Sequence, residues 1–223
     1  MSDLDHGPTA VGASTPAAAR VANPAFTVVP TPDPGVRLSA DLPWDEAQRP
    51  TGPPPDPERT YSAHALASGQ HLVDIHDHLR SELEQVRGLV DQVLDGSTDV
   101  AAARSRINEM TMRQNSWTLG AYCAAYCRVV TTHHTIEDQA MFPRLRAADP
   151  RLAPVVDRLE HEHRIIHDVL ERVDRALLAF VGPAADADGL QRAVDELTDT
   201  LLSHLAYEER ELVEPIARLG VLV

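Results

Sequence analysis

The chain has 223 residues, an apolar content of 43% and a formal net charge of −14. That length suits one ordinary domain with a real core, with or without a tail. The acidity argues against a nucleic-acid partner, because phosphate binding needs clustered cationic side chains. No apolar run approaches the ~18 residues of a membrane-spanning helix, so no membrane partner is expected.

The N-terminus lacks a basic segment followed by an apolar stretch, so a cytoplasmic location is expected. All 20 basic residues are Arg, read as the coding bias of a GC-rich, actinobacterial source. Cys123 and Cys127, four apart on one helical stretch, read as small core-filling groups rather than a disulfide framework.

Residues 1–59 hold twelve of the 17 prolines, with blocks such as "RPTGPPPDPER". Proline at this density excludes helix, and few large apolar residues are available for burial. The segment is expected to be a disordered or loosely docked tail, with Trp44 as its anchor. Its removal is expected to leave the rest of the chain intact. Residues 60–223 form the expected domain. Leu72, Ile75, His76, Leu79, Leu83, Val86, Val90 and Val93 predict a long first helix ended by Gly96. "STDVAAARSRINEMT" predicts a short connecting helix capped by Ser97 or Thr98. A second long helix, capped by Asn115 or Ser116, ends near Pro143. Val156, Leu159, His163, Ile166, Leu170, Val173 and Leu177 predict the third. Leu190, Val194, Leu197, Leu201, His204, Glu208 and Leu212 predict the fourth, up to Pro215 or slightly beyond. With no strand pattern, the fold class is all-α, an antiparallel up-down four-helix bundle.

Each helix carries polar groups where its stripe calls for apolar ones. The first has His76, the second His133 and Glu137, the third His163 and His167, the fourth His204 and Glu208. Residues four apart share a helix face, so each pair can grip one ion. A single such histidine is ordinarily a hydrogen-bonded core residue. Seven such groups cannot stay unpartnered, since each buried orphan costs roughly 1–3 kcal/mol against a whole-domain stability of about 5–15 kcal/mol. Five imidazoles and two carboxylates exceed one tetrahedral zinc site and are too nitrogen-rich for calcium or magnesium. They suit two octahedral first-row ions, iron before manganese or zinc. His64, His71, His78, His134 and His161 lie off the stripe and are expected at the surface or behind the ligands, with His71 the first exception to consider. Tyr126 and Cys123 share the stripe but lie seven and ten residues before His133, about 10–15 Å along the axis.

The motifs "IHDHLR", "HHTIEDQAMFP", "HEHRIIH" and "HLAYEERELVEP", in order and one per helix, resemble those of the hemerythrin-like, or HHE cation-binding, family. The resemblance covers about residues 60–223. It implies an oxo-bridged diiron centre in a four-helix bundle, with His76, His133, Glu137, His163, His167 and His204 as ligands. The seventh is a departure: oxygen carriers place Asp five residues after the last histidine, where Glu209 stands here. Glu208, four residues after it, fits the bacterial pattern and is the carboxylate chosen. Tyr207 beside it is read as packing.

The resulting expectation is a non-haem diiron protein that senses, carries or detoxifies O2, peroxide or NO, with an oxidoreductase role in peroxide or NO chemistry left open. The alternative is a diiron oxidase acting on a small organic substrate. Such enzymes usually carry a Glu-x-x-His pair on each of two helices, and here only Glu160 and His163 show that spacing. A third reading is a metal-stabilised interaction module whose binding arm is the proline-rich tail. A substrate-sized pocket beside the metals would favour the oxidase. Oligomeric state is left open.

Overall fold

The computed structural model describes residues 26–40, 42–94, 119–181 and 186–221. The expected connecting helix with its caps, the caps Asn115 and Ser116, Gly96, and the side chains of Val93 and Cys123 lie outside what is described. The helices are α1 (Ala63–Leu94), α2 (Leu119–Ile136), α3 (Phe142–Ala148), α4 (Ala153–Val181) and α5 (Ala187–Leu219). The described residues contain no strand. α5 packs along both α1 and α4, and α2 closes the ring against the same two helices. The fold is the all-α four-helix bundle expected.

α2 does not stop at Pro143. It passes through a π-turn, Glu137–Met141, directly into α3, with Pro143 in the first turn of that helix. Proline cannot donate and its ring crowds the carbonyl four residues back. The wider π-turn just upstream, closed by Phe142 N–H on the Glu137 carbonyl, lets the chain continue as helix. α5 likewise runs past Pro215 and ends at Gly220, whose φ of 66° is the left-handed cap that favours glycine.

The apolar core is in two parts. One cluster includes Leu79, Leu83, Val130, Ile166, Val173, Leu197 and Leu201. The other includes Leu72, Met141, Phe142, Leu159, Tyr207, Leu212 and Ile216. Between them the four long helices cross one polar layer: His76 on α1, His133 and His134 on α2, with Glu137 in the π-turn that follows it, His163 on α4, His204 and Glu208 on α5. The layer lies between these two apolar clusters.

Residues 1–25 of the expected tail lie outside what is described; the rest of the proline-rich segment differs from the loose tail expected. Residues 26–40 and 42–61 form a strap along the outer face of α5, burying Val28, Trp44 and Tyr61. Its fastening is mainly polar. Asp199 on α5 accepts from Leu38 N–H, Ser39 N–H and Ser39 Oγ, and Glu211 accepts from Gly52 N–H at 2.8 Å. Tyr61 donates to Glu214, and Tyr207 on α5 donates to the Pro50 carbonyl. A strap with few free N–H groups directs those it has onto carboxylates, so α5 is buried on nearly every side although its outer face is acidic.

Candidate metal centre

The polar layer gathers two groups of side chains. His76, His133, Glu137 and Glu208 form one, and His134, His163 and His204 the other. In the first, His133 Nε2 lies 3.1 Å from Glu137 Oε1 and His76 Nε2 lies 3.7 Å from Glu208 Oε2. The same carboxylates reach the second group: Glu137 Oε2 is 3.6 Å from His163 Nε2, and Glu208 Oε2 is 3.6 Å from His204 Nε2. His134 stacks on His163, with ring centroids 4.0 Å apart and planes 8° apart. Two histidine-bearing groups are thus spanned by two carboxylates.

The structure therefore brings together six of the seven expected residues and leaves out His167. On α4 the buried residues Val155, Leu159, Glu162, Ile166, Val169 and Val173 centre on a direction that His167 misses by roughly 120° at ~100° per residue. Its side chain is 58% exposed and lies 3.5 Å from Glu171. The fifth inward imidazole is His134, only 5% exposed, which the single-stripe argument had set aside. His133 and His134 are ~100° apart, but Glu137 falls between them, ~40° from one and ~60° from the other. A face that wide serves two groups at once. His64, His71, His78 and His161 are exposed, as expected.

The outer ring nitrogens have their own partners. His76 Nδ1 meets Glu209 at 2.9 Å, His163 Nδ1 meets Asp138 at 2.8 Å, and His204 Nδ1 meets Glu162 at 3.1 Å. An ionised carboxylate only accepts, so it draws the ring proton to Nδ1 and turns the Nε2 lone pair inward, the arrangement that orients metal-binding histidines. Glu209 is therefore not a rival of Glu208: it is buried behind His76, while Glu208 faces inward. Glu162, fully buried, was missed by sequence reasoning, although the seven-residue spacing Val155–Glu162–Val169 could have found it. Glu160 turns away to Arg146. Tyr207 sends its hydroxyl to the strap, and burial pushes the half-buried Cys127 thiol up to about 11, so it stays a neutral packing group.

Burial holds His76, His133 and His134 well below the usual histidine range and His204 down to about 4, which keeps these rings neutral and able to donate a lone pair. Burial, then the facing Glu208 charge, drives Glu137 well up, and burial lifts Glu208 to about 8. Glu162 moves the other way: burial alone would raise it, but His204 and Arg49 together hold it down to about 2. The inward atoms of His134, His163 and His204, and both oxygens of Glu137 and Glu208, are buried without a hydrogen-bond partner. Neutral nitrogens and carboxylates converging unpartnered on one layer fit a cation, which would satisfy them and restore both carboxylates to the charged form.

The family comparison agrees with that donor chemistry. The model of the hemerythrin HHE cation binding domain matches residues 69–216. The chain belongs to this family. No curated protein and no solved structure matches it. The matched span runs from within α1 almost to the end of α5 and contains every inward residue described above. No described helix is long and apolar enough to cross a membrane.

Proposed function

We propose that the protein holds two iron ions in the polar layer and uses them to bind or transform O2, peroxide or NO. The observation that carries this is the pairing of two histidine-bearing groups through Glu137 and Glu208, an arrangement for two ions rather than one. The proposed protein donors are His76, His133, Glu137, His134, His163, His204 and Glu208, with His134 in the place first expected for His167. Iron is the ion of choice for a nitrogen-rich set with mixed carboxylates, manganese or zinc less so. Such a pair supplies redox chemistry toward a small ligand at an open coordination position. The chain's own part would be to hold imidazole lone pairs inward, to offer Glu137 and Glu208 between the two histidine groups, and to flank the layer with an apolar cluster on either side.

A second reading, an oxidase acting on a small organic molecule, is favoured by one feature. A cavity of about 480 Å³ between α2 and α4 is lined by Thr131, His134, Thr135, Asp138, His163 and His167, among others. That is within the ~300–1,000 Å³ of ligand pockets, and it reaches two of the inward imidazoles. Metal analysis of the aerobically purified chain, with optical spectra before and after reduction and exposure to O2, peroxide and NO, tests the first reading. Two irons per chain with spectra that respond to these ligands are expected. One zinc per chain from iron-supplied cells would refute it. Spectra that respond only when an organic substrate is added would select the second.

A further inference from the structure

The strap touches the metal layer from behind, and it does so on both groups. Arg49 Nε and Nη2 donate to Glu162 Oε1 and Oε2, each at 2.9 Å, a two-pronged contact on a fully buried carboxylate. Glu162 Oε2 is the atom that meets His204 Nδ1 at 3.1 Å. Arg49 is itself held in place, its guanidinium 4.7 Å from the Tyr207 ring centroid and 5.4 Å from that of Trp44. Its side chain is only 5% exposed. On the other group, Thr31 N–H donates to Glu209 Oε2 at 2.6 Å, while Glu209 Oε1 meets His76 Nδ1. Arg158 and Arg80, from the bundle itself, supply the remaining cationic contacts to Glu162 and Glu209.

We propose that the N-terminal strap is a built part of the metal centre, with Arg49 the positioning residue that fixes Glu162 and through it the orientation of His204. The inference rests on the metal-binding reading above. Planar two-pronged recognition fixes both the place and the plane of a carboxylate, and the carboxylate sets ring rotation and tautomer at the histidine. A lysine keeps the charge but not the fork. The strap's backbone contact at Thr31 does for His76 what Arg49 does for His204, so an element outside the matched family region reaches one imidazole in each group.

The test loads the full chain and its Arg49→Gln, Arg49→Lys and Arg37→Gln variants with Co2+. It follows metal loss to a chelator and the visible absorption of the bound ion. Arg37 belongs to the same strap and pairs with Asp33 and with Glu46, which also meets Arg49 at 3.4 Å, so its removal reports loosening of the strap around Arg49 with the fork on Glu162 left in place. Arg49→Gln is expected to release metal about 10–100-fold faster with an altered absorption band. Arg49→Lys should fall between it and the parent chain, and Arg37→Gln should match the parent. Should Arg49→Gln not fold, Arg49→Lys decides alone, by releasing metal faster than Arg37→Gln. Release from the Arg49 variants at the parent rate, or equal acceleration in Arg37→Gln, would overturn the positioning role. Failure of the parent chain to take up Co2+ at all would instead overturn the reading of the site on which it rests.

Discussion

Replacing His134 by alanine sets the register of the metal layer against its nearest rival, His167. His134 is 5% exposed, its ring lies 4.0 Å from that of His163, and its Nε2 is buried without a hydrogen-bond partner. Loss of a direct donor should exceed the ~10–100-fold cost of losing a group behind a ligand. A hundredfold drop in affinity is about 2.7 kcal/mol. In the metal-free chain two effects oppose each other. The substitution removes an orphan whose desolvation costs ~1–3 kcal/mol, but it leaves a void beside His163 worth on the order of 2–3 kcal/mol. Metal-free stability should therefore change little while metal-loaded stability falls. His167→Ala should do neither, because its contact with Glu171 is an exposed helical pair, and such pairs contribute about 0.3–0.5 kcal/mol. Elemental analysis of the purified variants, with thermal unfolding in the presence and absence of metal, gives both readouts. A His167→Ala protein that comes out empty beside a fully loaded His134→Ala protein would refute the assignment and shift the α4 register by one turn.

Two further expectations concern the scaffold. A Cβ at Gly69 would lie 2.9 Å from the Val213 carbonyl oxygen, whereas at Gly88 it would meet nothing within 4 Å. Gly69→Ala should therefore force α1 from α5 at a cost of ~1–3 kcal/mol, and Gly88→Ala should gain up to ~1 kcal/mol of helix propensity; melting temperatures moving the same way would contradict this. Burial, then the bond to Glu214, raises the Tyr61 phenol to about 12, above its ordinary value near 10. That contribution is fully present below pH ~10 and is lost as pH rises through about 12. Alkaline unfolding of Tyr61→Phe should lack that slope, and an unchanged profile would show that the strap is not fastened there.

Much of the architecture was legible because periodicity is local. The apolar stripes of α1, α4 and α5, and the polar interruption of each, can be counted along the chain. What was not legible depends on how wide a face is and on which distant group lies opposite. A single stripe admits His133 and Glu137 and rejects His134, but a layer serving two groups needs an arc of about 100° on α2, and that need comes from the other helices. The spacing of His163 and His167 fits a chelating pair equally well. Only the direction of the core, fixed by Glu162 and Val169 as well as the larger apolar residues, turns His167 outward. The strap was misread for a related reason. Prolines signal the absence of helix, not the absence of packing, and its fastening points, Asp199, Glu209 and Glu211, lie more than 150 residues away in sequence.

Charge explains why this layer is suited to a cation rather than to water. Among the described residues, the carboxylates facing the imidazoles are Glu137 and Glu208 inside and Asp138, Glu162 and Glu209 behind. Glu162 is matched by Arg49 and Arg158, and Glu209 by Arg80. Glu162 and Glu209 can therefore hold ring protons outward while largely neutralised themselves. Among the described residues no arginine forms an ion pair with Glu137 or Glu208, and burial pushes both carboxyls up toward the protonated form, Glu208 to about 8. Water could solvate one such carboxylate, but it cannot supply positive charge between two of them. A cation can, and each imidazole that points its lone pair inward would add to its hold. On the proposed reading, the arginines behind the histidines and a cation in front of them would have complementary parts: the first would fix direction, the second would supply the charge the inner carboxylates lack.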